Sequence, residues 1–469
     1  MEVTSPHFTV ISNAGEKRAR NMAWQFEQVR AVLQRVWPWA TGTGERPVVI
    51  YAAKDERTMR MLAPEFWEGR GGGVRAASVF SSAPDAHYIS VRTDVRMDDI
   101  DTNPYRSSYW SYVGLTLTSS IPHDLPLWYS RGLSEVFSNT IVRNDDVLVG
   151  QILRWHLDRL RDKPPLRLED LFGATRDSPY MKESDRMNDY DASAWALMHY
   201  LTFGSDGANL ARFNTFSVAV AQGAEARGAL AEAFGGMRAV EEGYRRYISK
   251  SLYMYKKLDL DVDVQQVKFA VRPLAPQAAD VAIARYHAST GRPVEARARL
   301  ATARAASTQD GVVHEIEGLL LDREGKRDEA LAAYARATEV GGASYYGEFR
   351  FASMSWPRAP DTKEPFPKME KSLTRALELR PTFAPAHALL ANVLLELNRA
   401  PEGLAHARQA VALAPYESYH QLSLARVLLS VGKTGEAMAP AQHARNLAKS
   451  PFDVKAAEQF LNVLRSRSQ

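Results

Sequence analysis

A repeat of about 34 residues in the C-terminal part of the chain sets the strongest limit on its fold. Three segments share a glycine, an alanine five residues later and a second alanine seven beyond it: GRPVEARARLATARAA (291–306), GKRDEALAAYARATEV (325–340) and GKTGEAMAPAQHARNL (432–447). With two less regular copies, that second alanine recurs at Ala303, Ala337, Ala376, Ala410 and Ala444. Small residues at a fixed period are typical of helix pairs that cross closely and stack unit on unit. The pattern therefore predicts an all-α solenoid of about five repeats.

These repeats resemble tetratricopeptide (TPR) repeats over residues 277–451. In the second unit the consensus positions are matched by Gly318, Ala330, Tyr334 and Ala337. In the first and fifth units they are matched by Ala284, Ala296, Ala425 and Ala437, and the third and fourth units close with Pro381 and Pro415. A proline-rich stretch, SWPRAPDTKEPFPK (355–368), accounts for one longer repeat. The last segment, FDVKAAEQFLNVLRSR, is expected to cap the array, because an end repeat otherwise exposes its apolar face.

The TPR resemblance implies a concave surface that binds a peptide or a partner protein. The alternative is that the repeats only support the first domain or make a dimer. Both interpretations stay open on the sequence.

The first 250 residues have a different pattern. HFTVIS, RPVVIYAA, VRAASVFSS and AHYISVRTD are predicted strands, and EKRARNMAWQFEQVRAVLQRVW (16–37) is a predicted amphipathic helix with Met22, Phe26, Val29 and Leu33 on one face. Helical signals dominate after Pro104. We therefore expect an α+β domain over residues 1–250, a small sheet plus a helical lobe, then a linker at 251–276 and the TPR repeats at 277–469.

Bulk properties exclude several classes of protein. There are no cysteines, so disulfides and thiolate metal sites are excluded. The net charge of +4 is spread without a run of like charges, which argues against a nucleic-acid partner. No apolar run approaches the length of a membrane span. The chain is expected to be periplasmic or secreted if an export signal has been removed, and cytoplasmic otherwise.

The stretch YWSYVGLTLTSSIPHDLPLWYSRGLSEVFSNT (109–140) has the outline of a zinc-peptidase site. LPLWYSRGLSEVFS resembles the second-helix motif W-x-N-E-G-L-A-E of gluzincin (peptidase MA-like) domains. Trp128, Gly132, Leu133 and Glu135 match that motif, and segments at the start of the chain and at 191–201 resemble a family of bacterial gluzincin-like proteins. Such domains are commonly exported and followed by TPR repeats.

The residues that hold zinc in that family are missing here. A zincin places two histidines four apart on a helix with a glutamate between them, and a later glutamate completes the site. By the family's spacing, Trp110 and Gly114 replace the histidines, Ser111 the general base and Arg131 the third ligand. We therefore predict no metal and no cofactor, and a pocket whose zinc chemistry has been lost.

Other residues of this region are candidates for a changed role. Arg131 and Glu135 are spaced to pair with each other along one helix, which would neutralise the vacated pocket. Alternatively, Arg131 holds an anion or a peptide carboxylate. Tyr109, Tyr112, Trp128 and Tyr129 are candidate cleft residues, with Trp110 filling the metal position. His123 and Asp124 are predicted to cap a loop, with a remnant of a metal site as the alternative, and His199 is predicted to be a core histidine.

Two functions therefore remain open, with a third more distant. The first is a non-catalytic pseudopeptidase joined to a TPR scaffold that binds peptides or proteins through the TPR concave face and the former cleft. The second is an enzyme with metal-free chemistry, for which the candidates are Arg131, Glu135, Ser111, Tyr190 and His123. The third is a metallopeptidase with unorthodox ligands.

Overall fold

The computed structural model of the protein describes residues 1–40, 46–66, 77–95, 103–121, 124–143, 146–250, 253–259, 268–306, 310–357 and 362–467. Its contacts divide the chain into two compact units. The first is Met1–Ser82 with Ala86–Pro273, and the second is Ala83–Asp85 with Leu274–Gln469. None of the helices in the described ranges is long and apolar enough to cross a membrane.

The strands of the first unit form two sheets. In chain order they are β1 (Glu2–Thr4), β2 (Phe8–Ser12), β3 (Val48–Ala53), β4 (Ser78–Ser82), β5 (His87–Arg92), β6 (Ile141–Val142), β7 (Asp146–Val149), β8 (Lys256–Asp259) and β9 (Ala270–Arg272). The larger sheet has the order β4-β5-β3-β2-β1-β9, and the smaller has the order β6-β7-β8. At the centre of the larger sheet, β2, β3 and β5 are parallel, with Val48 opposite both Phe8 and His87.

The helices of the first unit are α1 (Glu16–Val36), α2 (Glu56–Leu62), α3 (Arg106–Ser120), α4 (Leu127–Ser138), α5 (Arg154–Asp162), α6 (Leu168–Gly173), α7 (Ser184–Phe203), α8 (Asn209–Ala221), α9 (Ala226–Phe234) and α10 (Met237–Ile248). Helix α1 buries Met22, Phe26, Val29 and Leu33, as its apolar periodicity predicts. Helix α7 is buried at every position from Tyr190 to Phe203. It is therefore a central element of the helical lobe, and α4 packs directly on it.

Two described stretches of the predicted linker 251–276, residues 256–259 and 270–272, are instead strands in the two sheets of the first unit. β8 pairs with β7 through Lys256 and Val149, and β9 pairs with β1 through Ala270 and Thr4. The strands are only four and three residues long, so the sequence contains too few positions to show a period of two. Backbone hydrogen bonds to distant strands fix residues 256–259 and 270–272.

The second unit is a series of antiparallel helix pairs. Its helices are α11 (Pro276–Ser289), α12 (Pro293–Ala306), α13 (Gly311–Arg323), α14 (Arg327–Val340), α15 (Tyr345–Met354), α16 (Phe366–Leu379), α17 (Ala384–Glu396), α18 (Ala400–Leu413), α19 (Ser418–Ser430), α20 (Thr434–Leu447) and α21 (Pro451–Arg467). Successive helices pack as pairs, from α11 with α12 to α19 with α20, and α21 packs on α20. The prediction of a helical repeat array with a terminal helix is confirmed.

Small residues lie where the helices of a pair cross, as predicted. Ala303, Ala337, Ala376, Ala410 and Ala444 are all fully buried. At Gly318, an added Cβ would lie 3.0 Å from the ring of Tyr334, so a larger residue would push the two helices of that pair apart. The repeat period in the sequence is therefore the period of close helix crossings.

Candidate functional site

Arg131 on α4 lies between an aromatic ring and a carboxylate. Its Nε donates to Oδ1 of Asp191 on α7 at 2.6 Å, and its Nη2 donates to Oδ2 at 2.7 Å. The guanidinium carbon lies 5.4 Å from the ring centroid of Trp110 on α3. Two parallel hydrogen bonds and a cation–π contact hold the guanidinium in one orientation.

A glycine allows this arrangement. A Cβ at Gly132 would lie 2.7 Å from the carbonyl oxygen of Ala194 and 3.1 Å from Cβ of Met198. Helices α4 and α7 therefore approach closely next to Arg131, and Asp191 lies one turn from the contact point. The predicted match of Gly132 to the gluzincin motif corresponds here to a close helix crossing.

The electrostatics of the pair favour the charged guanidinium. Burial lowers the pKa of Arg131, but its hydrogen bonds to Asp191 and the charge of that residue outweigh burial and hold the pKa above its ordinary value. Because Asp191 is only 9% exposed, its carboxylate needs this partner. The positive charge of Arg131 is thus neutralised inside the protein.

The expected Arg131–Glu135 pair is not the pair that forms. Oε2 of Glu135 accepts a hydrogen bond from Nη1 of Arg106 at 3.0 Å and lies 3.1 Å from Nε2 of His156. The spacing of four residues on α4 allowed a local pair, but each side chain finds a partner from another helix. Asp191 offers Arg131 both carboxylate oxygens, which is a stronger arrangement than a single contact along one helix.

Glu135 is buried and charged. Burial raises its pKa, but the hydrogen bond with His156 and the charge of Arg106 lower it by more, so the pKa lies below its ordinary value. Arg106 also lies over the ring of Trp155, with 4.7 Å from the guanidinium carbon to the centroid. The region therefore contains two similar groups, each with an arginine, a tryptophan and a buried carboxylate.

The four aromatic residues predicted to line a cleft belong to the core. Tyr109 and Tyr129 are fully buried, and Tyr112 and Trp128 are at most 8% exposed. The ring of Tyr109 packs edge-on against Phe26, and that of Trp128 stacks on a phenylalanine of α8. The prediction that these residues contact a ligand does not agree with their burial. They are buried because α3 and α4 turn the rings toward α1 and α8.

The remaining candidates are dispersed. The hydroxyl of Ser111 donates to the carbonyl of Ser107 in its own helix at 3.1 Å. Tyr190 is fully buried, and its hydroxyl donates to the carbonyl of Leu171 at 3.1 Å. His123 lies outside the described residues, and the neighbouring Asp124 is exposed. The structure brings neither Ser111 nor Tyr190 into hydrogen-bonding contact with Arg131.

His199 is a core histidine, as predicted. It is fully buried, with Nδ1 2.8 Å from the hydroxyl of Tyr247 and Nε2 2.8 Å from the carbonyl oxygen of Gly150. Since a carbonyl only accepts, Nε2 carries the proton and Nδ1 accepts from the tyrosine. Burial lowers the pKa of His199 to about 4. It is neutral near pH 7.

The residues at the predicted zinc-ligand positions do not fit a zinc ion. Gly114 has no side chain, Trp110 offers no lone pair and Arg131 is a cation. In the described ranges, no cluster of three or more histidine, aspartate or glutamate residues is arranged to hold a metal.

Sequence reasoning missed three residues of this site: Asp191, Arg106 and His156. Asp191 has a signal, because it is an acid that opens the apolar run DASAWALMHYL. A charge inside a buried helix is rarely tolerated without a partner. Arg106, the first residue of α3, and His156, on the nine-residue helix α5, have no comparable signal.

In the second unit, a polar cluster links the first helices of successive pairs. Glu315 on α13 is 2% exposed and accepts hydrogen bonds from Nη1 of Arg285 on α11 at 2.8 Å and from the backbone N–H of Ser344 at 2.7 Å. The hydroxyl of Ser344 donates to the same carboxylate at 2.6 Å. Burial raises the pKa of Glu315, but the charge and hydrogen bond of Arg285 and the bonds from Ser344 hold it below its ordinary value.

A second cluster joins α17 and α19. The side-chain amide of Asn392 donates to the hydroxyl of Tyr419 at 3.1 Å and to the hydroxyl of Ser423 at 2.8 Å. Tyr419 is 44% exposed, and Arg426, two turns further along α19, is also exposed. Asn392, Tyr419 and Arg426 are called the first-helix face below. Tyr419 and Arg426 present an aromatic and a positively charged group, and Asn392, which is 4% exposed, holds the hydroxyl of Tyr419 from below.

Comparison with known proteins finds solved structures that include several TPR proteins. No protein-family model matches the sequence, and no curated protein matches it. Similar solved structures include YrrB, named as a TPR protein with an unusual peptide-binding site, at 13% identity over 39% of this chain and 91% of that one, with a TM-score of 0.32.

Two further structures have similar scores. MamA of AMB-1 is 19% identical over 37% of this chain and 98% of that one, with a TM-score of 0.30. A thermophilic TPR protein of Thermus thermophilus is 20% identical over 39% of this chain and 98% of that one, with a TM-score of 0.28. At these TM-scores the likeness carries no argument, so the resemblance of the second unit to TPR repeats depends on its repeat spacing and helix pairs.

Proposed function

We propose that the protein is a non-catalytic scaffold whose second unit binds a peptide or a partner protein. The observation that carries this proposal is the first-helix face. Tyr419 is 44% exposed although its hydroxyl is held by Asn392, so a half-exposed aromatic ring is kept in a fixed orientation. A rigid amphipathic ring beside a positive charge suits recognition of a polypeptide.

The chemistry of this face indicates the kind of segment that it binds. Arg426 is exposed on the same helix as Tyr419, so an acidic group in the ligand gains a charge-assisted hydrogen bond. The ring of Tyr419, on the same helix as Arg426, offers apolar area to the ligand. The expected ligand is therefore an extended or helical segment with an acidic residue next to an apolar one.

In this proposal the first unit is a gluzincin-like domain that has lost its chemistry. Arg131, at the position of the third zinc ligand, supplies a fixed positive charge, and Asp191 neutralises it. This supports the interpretation that the vacated pocket is filled. Trp110 covers one face of the guanidinium, which supports it further.

The metal-free enzyme is the weaker candidate. An acid does lie within hydrogen-bonding distance of Arg131, as an enzyme would require. However, both oxygens of Asp191 accept hydrogen bonds from Arg131, and Glu135 is engaged by Arg106 and His156. A general base needs a lone pair directed at a substrate, and these contacts engage the carboxylates.

A charge reversal on the first-helix face tests the proposal. Partners are captured on the immobilised full chain and their affinities are then measured by calorimetry. Arg426→Glu is expected to weaken binding at least about tenfold, as loss of a charge-assisted contact would. Arg408→Glu, on the second helix of the preceding pair and 56% exposed, is the matched control and is expected to leave affinity unchanged. Equal loss in both variants, or no partner that depends on Arg426, would contradict the proposal.

A further inference from the structure

A small cavity in the first unit lies outside the region around Arg131. Its volume is about 210 Å³. Residues from α1, α4, α7, α8 and from strands β7 and β8 line it: Arg35, Val36, Phe137, Val149, Thr202, Phe203, Leu210, Asn214, Lys256 and Leu258. This set is called the α7–β8 pocket below.

The walls of the α7–β8 pocket are mostly apolar. Phe137 and Val149 are each 1% exposed, and Leu258 is 5% exposed. The hydroxyl of Thr202 donates to the carbonyl of Met198 at 2.8 Å, so its proton is already engaged. A ligand inside the pocket therefore gains contact with aliphatic and aromatic surface.

One wall is fixed before any ligand arrives. Gly150 has a φ of +78°, and an added Cβ there would lie 2.3 Å from the ring of Phe203. The ring of His199 lies 5.0 Å from that of Phe203, and Nε2 of the histidine donates to the carbonyl of Gly150 at 2.8 Å. Phe203 is thus held against the strand end by a glycine and a buried histidine, and the pocket is preorganised.

The charged residues that line the pocket are both cations, Arg35 and Lys256, and among the described residues no carboxylate lines it. The next residue on β8, Lys257, pairs with Asp146 at 2.9 Å. Successive side chains of a strand point to opposite faces, so this acid is on the other side from Lys256. A ligand with a negative group gains from the charge of Lys256 without meeting an acid in the lining.

We propose that the α7–β8 pocket binds a short-chain carboxylic acid, with its carboxylate at Lys256 and its carbon chain against Phe137, Val149 and Phe203. The size supports a short chain. Drug-sized ligands occupy pockets of about 300–1,000 Å³, so 210 Å³ suits an acid of about five to seven carbons. Long-chain lipids exceed this volume.

Calorimetric titration of the full chain with hexanoate, 1-hexanol and hexylamine tests the charge requirement. Hexanoate is expected to bind, with the alcohol and the amine at least about tenfold weaker, since they keep the apolar part and lose the negative charge. Equal binding of hexanoate and hexanol, or no binding of hexanoate at millimolar concentration, would overturn the proposal.

Variants of Lys256 locate the site. Lys256→Met keeps much of the apolar stem and is expected to weaken hexanoate about fivefold to tenfold, whereas Lys256→Arg keeps the charge and is expected to retain affinity. A thermal melt of each variant shows that the fold is kept. Identical affinities for hexanoate in Lys256→Met and the parent chain would place its binding elsewhere and overturn the assignment.

A peptide that ends in leucine has the same chemistry of a carboxylate beside an apolar group. We expect it to bind more weakly than hexanoate, because the peptide chain must leave through the mouth of a small cavity. If it binds at least tenfold more tightly, the site recognises a polypeptide C-terminus, and the assignment to a free acid is wrong.

Discussion

Arg131 on α4 and Asp191 on α7 form a bidentate ion pair, with Nε–Oδ1 and Nη2–Oδ2 distances of 2.6 and 2.7 Å. The two residues lie 60 positions apart in the chain. Arg131 is the residue that the sequence resemblance aligns with the third zinc ligand of gluzincins, and in the proposed function its charge and that of Asp191 balance each other there. Its energetics can be measured directly.

Removal of the arginine is expected to destabilise the first unit. Arg131→Met leaves the carboxylate of Asp191 buried without its partner. The side chain of Arg131 is 20% exposed, so the expected loss in free energy of unfolding is about 2–3 kcal/mol, below the range for a fully buried pair. Urea unfolding followed by tryptophan fluorescence measures this, because only Trp356 of the nine tryptophans follows residue 274.

The double variant Arg131→Met/Asp191→Leu is the control for this result. Replacement of both partners removes the unpaired charge, so most of the lost stability is expected to return. If the double variant is as unstable as Arg131→Met alone, the unpaired carboxylate is not the cause of the loss.

Two glycines near the site are expected to respond in opposite directions to alanine. Gly132→Ala places a methyl group 2.7 Å from the carbonyl of Ala194 and should cost about 1–3 kcal/mol through separation of α4 and α7. At Gly114 the nearest atom to an added Cβ is Oγ of Ser134 at 3.7 Å, so alanine fits and should stabilise α3 by up to about 1 kcal/mol. The same urea experiment compares them, and similar losses at both positions would contradict the close crossing at Gly132.

The buried His199 contributes to the pH dependence of the stability of the first unit. The pKa of His199 is about 4 in the folded protein, and that of an unfolded histidine is about 6.5. Between these values the unfolded chain binds more protons, so stability is full above about pH 6.5 and falls as the pH drops toward 4. The slope from this one residue approaches about 1.4 kcal/mol per pH unit.

The change of stability with pH, rather than the stability at one pH, shows whether His199 is the residue that titrates. His199→Gln lowers stability at every pH, since a glutamine cannot reproduce both ring hydrogen bonds, but it should reduce the slope between pH 6.5 and 4.5. The same substitution at exposed His443 is the control. An unchanged slope in His199→Gln would show that other groups carry the pH dependence.

Features of the structure that are set by the spacing of nearby residues in the chain could be predicted from the sequence. The alanines of the repeat are buried because the helices of each pair cross at a fixed interval, and this interval is visible in the chain. Met22 and Phe26 are buried because the apolar period of α1 matches one helix face.

The site could not be predicted in the same way. Arg131 has a carboxylate four residues away on its own helix, and local spacing favours that partner. The partner that it binds is set by the α4–α7 crossing at Gly132, which is a tertiary contact. The pairing of strands β8 and β9 also depends on tertiary contacts, because their partner strands lie more than 100 residues earlier in the chain.

Glu315 is expected to hold together the first three helix pairs of the second unit. Glu315→Ala removes the acceptor for Arg285 and for both donors of Ser344, so the start of α15 should open more easily, by about 2–4 kcal/mol. Hydrogen exchange of the full chain, read by mass spectrometry over residues 344–354, measures this. Glu317→Ala is the control, because Glu317 lies on the same helix and is 37% exposed. Equal acceleration of exchange in both variants would contradict a specific role for the buried carboxylate.

Zinc content tests the interpretation of the first unit. After dialysis against zinc, the purified chain is expected to carry less than about a tenth of an equivalent, because Trp110, Gly114 and Arg131 provide no ligand atoms. Inductively coupled plasma mass spectrometry gives the value, and one stoichiometric zinc would contradict a metal-free pocket. The matched variant carries Trp110→His, Ser111→Glu, Gly114→His and Arg131→Glu, which places the gluzincin ligand set at the positions that the sequence resemblance indicates. If the domain keeps the gluzincin geometry, this variant takes up about one zinc per chain. A folded variant that binds no zinc would show that the helices α3 and α4 do not have the gluzincin arrangement.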